Sequence, residues 1–166
     1  MDSTNEFSFV LKPSTVPGAG VGIFAVHDIA EGTKVTALFS DGFVTSRRKV
    51  SEIPKIFLDY CIARDNDEYD CPRQFNRMEI GWYLNHSATP NLRIDTDAHY
   101  TTRDIKAGEE VLINYNELDE PEDRKQAYYK DQRDIHQSFS IVQFVIKLSS
   151  RDSHPANFQI CKILIC

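Results

Sequence analysis

Gly81-Trp82-Tyr83-Leu84-Asn85-His86-Ser87-Ala88-Thr89-Pro90-Asn91 is the stretch on which the reading of this chain turns. An apolar run stops abruptly in short polar residues and a proline. Leu84 reads as buried, at the end of a core strand. Asn85, His86 and Ser87 then bring an amide, an imidazole and a hydroxyl to adjacent positions. Such side chains bond to nearby backbone and turn the chain out of a ladder. Pro90 drives Thr89 out of the helical region. A polar knot entered from the core is either a structural corner or a binding site, and the rest of the chain decides which.

The chain has 166 residues, is 41% apolar and carries a net charge of −6, with a mean hydropathy of −0.42. That suits one soluble domain, or one domain with an appendage, around a real core. The acid excess points away from direct nucleic-acid binding and toward a basic partner. Met1 to Glu6 has neither the basic nor the apolar region of a signal peptide. The apolar run from Ile141 to Leu148 is too short and too interrupted to cross a bilayer. The expectation is an intracellular protein, cytoplasmic or nuclear, away from membranes. Cys61, Cys71, Cys161 and Cys166 show no paired spacing, which fits a reducing compartment.

Along the chain, Phe7, Phe9 and Leu11 alternate with Ser8, Val10 and Lys12 and predict a first strand with one buried face. Gly18-Ala19-Gly20-Val21-Gly22-Ile23-Phe24-Ala25 follows. Its last six residues match the GxGxxA dinucleotide fingerprint, but no helix has room to form before the turn at Gly32, so the glycines read as a loop where backbone approaches something closely. Residues 41–51, with Arg47, Arg48 and Lys49, read as a solvated surface loop. Ile53, Ile56, Phe57, Tyr60 and Cys61 recur at helical spacing and predict a short amphipathic helix over about 53–63, then a polar loop from Arg64 to Arg73. Leu92 to Asp95, His99 to Thr102 and Val111 to Tyr115 read as strands. Asp28-Ile29-Ala30-Glu31-Gly32-Thr33-Lys34-Val35 and Asp104-Ile105-Lys106-Ala107-Gly108-Glu109-Glu110-Val111 share the pattern Asp-Ile-x-x-Gly-x-x-Val, which suggests two related hairpins. Glu117, Asp119, Glu120, Glu122 and Asp123 form an acidic stretch, and Arg124 to Arg133 predicts a charged helix with Tyr128 and Tyr129.

Three stretches stand in a telling order: the glycine loop at 18–25, Asn85-His86-Ser87-Ala88-Thr89-Pro90-Asn91, and Gly108-Glu109-Glu110-Val111-Leu112-Ile113-Asn114-Tyr115. Together they resemble a SET domain, the family of S-adenosylmethionine-dependent protein lysine methyltransferases, over roughly residues 10–118. The resemblance implies a mainly β, SET-domain fold of the β-clip type. Its small curved sheets would surround a pseudoknot formed by the last two stretches, with a short inserted helix and a C-terminal helix. It divides the chain into an N-terminal arm over 1–9, the SET domain over 10–118 with an insert at about 45–75, an acidic segment and helix over 119–138, and an extension over 139–166.

The resemblance also implies roles. S-adenosyl-L-methionine is the cofactor. Backbone at Ala19, Gly20 and Val21 is expected to hold its methionine part. Asn85 and His86 are expected to contact it through backbone and the Asn85 side chain, with Trp82 against the adenine or in the core. Tyr115 is the expected catalytic residue, its hydroxyl near the transferred methyl group. Ile113, and Tyr128 or Tyr129 from a C-terminal helix, are expected to line the lysine channel. The partner is a protein substrate presenting a lysine in a basic segment. The acidic stretch either attracts that segment or is a solvated loop. His86 reads as a hydrogen-bonded structural histidine rather than a general base. Departures from the family pattern stand beside these roles. Phe39 falls where many members have a tyrosine, and Ala88 replaces a cysteine that ligates zinc in nuclear members. No metal site is expected. A SET module that binds a partner without transferring a methyl group is the alternative.

Overall fold

The computed structural model describes residues 4–39, 43–95 and 98–130. The expected extension over 139–166, with Cys161 and Cys166, and the end of the charged helix lie outside the described residues. What is described is mainly β. The strands are β1 (Phe9–Pro13), β2 (Val21–Ala25), β3 (Lys34–Val35), β4 (Thr45–Lys49), β5 (Ile62–Ala63), β6 (Glu68–Pro72), β7 (Asn85–His86), β8 (Leu92–Asp95), β9 (Ala98–Thr101) and β10 (Glu110–Ile113). They form three small sheets, ordered β1-β2-β10-β7, β3-β9-β8 and β4-β6-β5.

The first sheet is where the fold closes on itself. β10 lies antiparallel to β2, with Val111 opposite Ile23, and parallel to β7, with Ile113 opposite His86. Ile23, Leu38, Leu84, Leu92, Ile105, Val111 and Ile113 pack into one core beneath these strands. Asn91 fastens the crossing. It is 1% exposed, its Nδ2 donates to the carbonyl of Glu110 at 2.8 Å, and its Oδ1 accepts from the Leu112 N–H at 2.8 Å. One side chain thus replaces the neighbouring strand that these two backbone groups lack.

The two Asp-Ile-x-x-Gly turns meet. Ile29 and Ile105 exchange both backbone hydrogen bonds, at 2.8 and 2.9 Å. Asp28 accepts from the Ala107 N–H at 2.9 Å, and Asp104 accepts from the Glu31 N–H at 3.0 Å. Each aspartate caps the other hairpin's turn. Gly32 and Gly108 hold φ of 74° and 84°, a region that side chains with a Cβ rarely occupy.

Several expectations change. β1 forms at a sheet edge, but only its first residue, Phe9, packs against the core; Leu11 is exposed, and Phe7, 74% exposed, lies before the strand. The arm before it is nonetheless tied down, since Thr4 bonds Thr36 through both side chain and backbone. The apolar run before Asn85 is a 3₁₀ turn over Ile80–Tyr83, not a strand. The inserted helix is likewise a 3₁₀ turn, Lys55–Tyr60, with no buried residue and with Ile56 77% exposed. Pro54 starts it and i→i+3 bonds close it, so the spacing that mimicked an amphipathic helix spans too few residues to make one. The two polar loops of the insert are strands. β4 pairs with β6 along its length, because Arg47 finds Asp70 at 2.7 Å and Glu68 at 3.6 Å across the ladder. Arg64 meets the other Asp70 oxygen at 2.7 Å. These contacts hold the Asp70 carboxyl below its usual range against burial, which pushes it up.

Candidate functional site

The polar residues after Leu84 are drawn into a single cluster by β7 and β10. His86 is 7% exposed, and its Nδ1 accepts from the Tyr115 N–H at 3.2 Å. The His86 and Tyr115 rings lie 5.4 Å apart. β10 ends at Ile113, and Tyr115 opens a 3₁₀ turn, Tyr115–Glu117, capped by the Asn114 side chain. That turn swings the Tyr115 hydroxyl back onto the Leu84 carbonyl at 2.7 Å. The hydroxyl of Tyr115 is therefore anchored on the main chain immediately before Asn85.

Two further tyrosines complete the cluster. Residues 127–130 form a helical turn. The Tyr129 ring lies 5.6 Å from Tyr115 and 5.7 Å from His86. Tyr128 is 6.4 Å from Tyr115. Their exposures part them: Tyr129 is 3% exposed and Tyr128 is 59% exposed. Tyr129 donates its hydroxyl to Glu120, and Glu120 accepts in turn from the Ala63 N–H at 2.8 Å. Asn116 Nδ2 donates to the Tyr129 carbonyl at 3.0 Å. Burial pushes the Tyr115 hydroxyl well above its ordinary pKa, helped by Tyr128, Tyr129, Glu120 and Asp59. Burial likewise pushes Tyr128 up to about 12. All three rings carry their protons at neutral pH.

A second cluster braces the glycine loop. Glu110 is 4% exposed and accepts from Ser14 Oγ at 2.7 Å, the Thr15 N–H at 2.7 Å, Thr15 Oγ1, and Asn85 Nδ2 at 3.0 Å. Asn85 Nδ2 also reaches the Val21 carbonyl at 3.0 Å. Gly22 makes this packing fit, because a Cβ there would overlap the Glu110 carboxylate. The Asn85 amide nitrogen is thus spent within the protein, holding loop and knot together. Gly81 has a similar role beneath the aromatic group of Phe39, Phe43 and Trp82, since a Cβ there would overlap the Phe39 ring. Trp82 packs on Phe43 at 5.2 Å and on Phe39 at 6.4 Å.

The sequence profile described as SET domain matches residues 20–116, more than half of the chain. The chain belongs to the SET-domain family. Among solved structures it is similar to a Plasmodium falciparum protein assigned as a histone methyltransferase, at 19% identity over 66% of this chain and 93% of that one, with a TM-score of 0.43. It is also similar to the methyltransferase domain of human PR domain-containing protein 2, at 23% identity over 64% of this chain and 76% of that one, with a TM-score of 0.45. No curated protein matches closely enough to count as a relative.

Within this SET domain, Asn85, His86, Ile113, Tyr115, Tyr128 and Tyr129 come together around the knot. Trp82 lies with Phe39 and Phe43 beside Gly81, and Ala19, Gly20 and Val21 lie on the loop that Glu110 braces. Glu110, Ser14, Thr15 and the Leu84 carbonyl are the contributors that sequence reasoning missed, and Glu120, read there only as one of the acidic stretch, turns inward onto Tyr129. Glu110 left a trace, as an acid placed directly before a buried strand. Among the described residues no group of three or more histidines, cysteines or acids is placed to hold a metal ion, and no helix is long and apolar enough to cross a membrane.

Proposed function

We propose that this SET domain transfers a methyl group from S-adenosyl-L-methionine to the side-chain amine of a lysine in a protein substrate. The observation that carries the reading is Tyr115, protonated, anchored on the Leu84 carbonyl and ringed by His86, Tyr128 and Tyr129. A lysine amine held beside the positive sulfonium of a bound cofactor would shift toward the neutral, nucleophilic form, because like charges repel. The Tyr115 O–H donates to the Leu84 carbonyl, and the oxygen keeps lone pairs to orient that amine. His86 serves as a positioning residue, because its Nδ1 is committed to the Tyr115 backbone. Alignment in a dry channel is the main demand of an in-line displacement, which needs no nucleophile on the protein.

The glycine loop fits the cofactor. Gly18 and Gly20 have φ of 80° and 75°, and a Cβ built on either meets nothing within 4 Å. Backbone at that point is open to close approach, in contrast to Gly22 and Gly81. In this reading Ala19, Gly20 and Val21 hold the methionine part, Asn85 and His86 contribute through their main chain, and Trp82 lies toward the adenine. When bound, the cofactor supplies an activated methyl group on a sulfonium. The substrate is a basic segment. Glu117, Asp119 and Asp123 are exposed in the segment that joins Tyr115 to Tyr128 and supply the attraction, whereas Glu120 is engaged inside.

The test is radiolabelled methyl transfer with the full chain, using purified histones and a cell lysate as acceptors and Tyr115→Phe in parallel. Label on a discrete protein, lost in the variant, is the expected result. Cofactor binding by calorimetry with no label on any acceptor would overturn methyl transfer in favour of a partner-binding module.

A further inference from the structure

Two thiols face each other in the insert, away from the tyrosine cluster. β5 pairs with β6 so that Ile62 opposes Asp70 and Ala63 opposes Tyr69. Cys61 keeps extended backbone, with φ −127° and ψ 145°, so the register runs one residue further and sets Cys61 opposite Cys71. Opposed residues of an antiparallel pair project from the same face. The Cys61 N–H donates to the Leu58 carbonyl at 3.0 Å and the Ala63 N–H to Glu120 at 2.8 Å, both away from β6. The pair at 61 and 71 is therefore of the non-hydrogen-bonded kind, whose Cα atoms lie about 4.5 Å apart. That falls within the roughly 4.4–6.8 Å that a disulfide bridges. Both thiols are reduced, and each donates to a nearby carbonyl, Cys61 to Phe57 at 3.2 Å and Cys71 to Tyr69 at 3.6 Å.

Arg48 adds a third group. It lies on β4, and its Nε–H is buried with no acceptor among the described residues. Burial pushes both thiols up, and the Arg48 charge works against that at both sulfurs. Cys61 is partly exposed and Cys71 fully buried, so an oxidant in solution reaches Cys61 first.

We propose that Cys61 and Cys71 are a reversible dithiol–disulfide pair, oxidised by low-molecular-weight disulfides such as glutathione disulfide. Cys61 loses its proton and attacks one sulfur of the oxidant, forming a mixed disulfide and releasing one thiol that takes up the proton. Cys71 then attacks the Cys61 sulfur. The bond to the oxidant breaks, and the second thiol leaves with the Cys71 proton. Two protein thiols are oxidised, and one disulfide is reduced to two thiols. The bond would fix β5 on β6 two residues before Ala63, whose N–H holds Glu120 and through it Tyr129. Oxidation thereby stiffens the mounting of the tyrosine cluster.

The experiment treats the full chain with glutathione disulfide, alkylates the remaining thiols and maps the peptides by mass spectrometry. The expected product is a cross-link between the Cys61 and Cys71 peptides, lighter by two hydrogens, resistant to alkylation and reversed by dithiothreitol. Cys71→Ser should stop the reaction at a glutathione adduct on Cys61, and Cys61→Ser should leave Cys71 unmodified. A lasting adduct on Cys61 in the unsubstituted chain, two unmodified thiols, or cross-links from either to Cys161 or Cys166 instead would overturn the proposal. None of these readouts requires methyl transfer, so the outcome is separate from that of the activity assay.

Discussion

Replacing Glu110 by glutamine should destabilise this domain although the shape of the side chain is preserved. Each carboxylate oxygen meets a nitrogen donor that cannot turn away: Oε1 accepts from Asn85 Nδ2 and Oε2 from the Thr15 N–H. Ser14 and Thr15 hydroxyls can rotate, but these N–H groups cannot. Whichever way the glutamine amide is placed, its NH2 opposes one of them. A buried donor left without an acceptor costs about 1–3 kcal/mol, and the remaining bonds lose their charge assistance, so the total is about 2–4 kcal/mol. For a chain of this size that lowers Tm by roughly 5–15 °C.

The pH dependence gives an independent check. Burial pushes the Glu110 carboxyl up, but the bonds from Thr15, Ser14 and Asn85 more than reverse it, and the group ends below its ordinary value of 4.5. A carboxylate depressed on folding stabilises the fold above its unfolded pKa, and that contribution is lost as pH falls through the folded value. The gap between wild type and Glu110→Gln should therefore be full at neutral pH and should close in acid. Thermal unfolding followed by circular dichroism across pH measures both. A variant melting within about 2 °C of wild type at neutral pH would refute the reasoning, since the charge-assisted bonds would then contribute almost nothing.

Further outcomes follow from other contacts. Gly81→Ala should cost about 1–3 kcal/mol by driving a methyl group into the Phe39 ring, and Phe39→Leu in the same chain should recover part of it in a denaturant double-mutant cycle. Asn91→Ala removes both side-chain bonds to β10 and should cost about 2–4 kcal/mol by the same denaturant measurement. Burial pushes His99, stacked on Phe39, down to about 4 from 6.5. The unfolded chain binds that proton first, so stability present above pH 6.5 should fall by about 3 kcal/mol as pH drops to 4, and His99→Phe should flatten that part of the profile.

The knot was legible because much of its chemistry is local. Asn85, His86 and Asn91 are polar residues in a run whose neighbours must be buried, and each has a partner in the single following stretch from Glu110 to Tyr115. The paired Asp-Ile-x-x-Gly turns were legible because both halves carry the same residues. The insert was not. Arg47, Arg48 and Lys49 look like a solvated run until Glu68, Tyr69 and Asp70 are laid opposite them, and no local periodicity carries that information. The apolar spacing from Ile53 to Cys61 has a helical period but begins at a proline and ends at β5. Glu110 was missed for the same reason as the insert: its donors come from residues 14, 15 and 85. Exposed Phe7 and Leu11 show the opposite failure, where alternation predicted a buried face and only Phe9 packs against the core.

The position of β10 bears on how the chain is made. It fills the slot between β2 and β7, yet it is synthesised after both. Until Ile113 has left the ribosome, the inner edge of β2 has no partner, and the core side chains Ile23 and Leu84 lack Val111 and Ile113 to cover them. A nascent chain of this kind waits with an open sheet edge and exposed apolar residues, the state in which strands pair with the wrong neighbour. Folding is then a late event, and arrested chains that end before Ile113 should be substrates for chaperones rather than partly working domains.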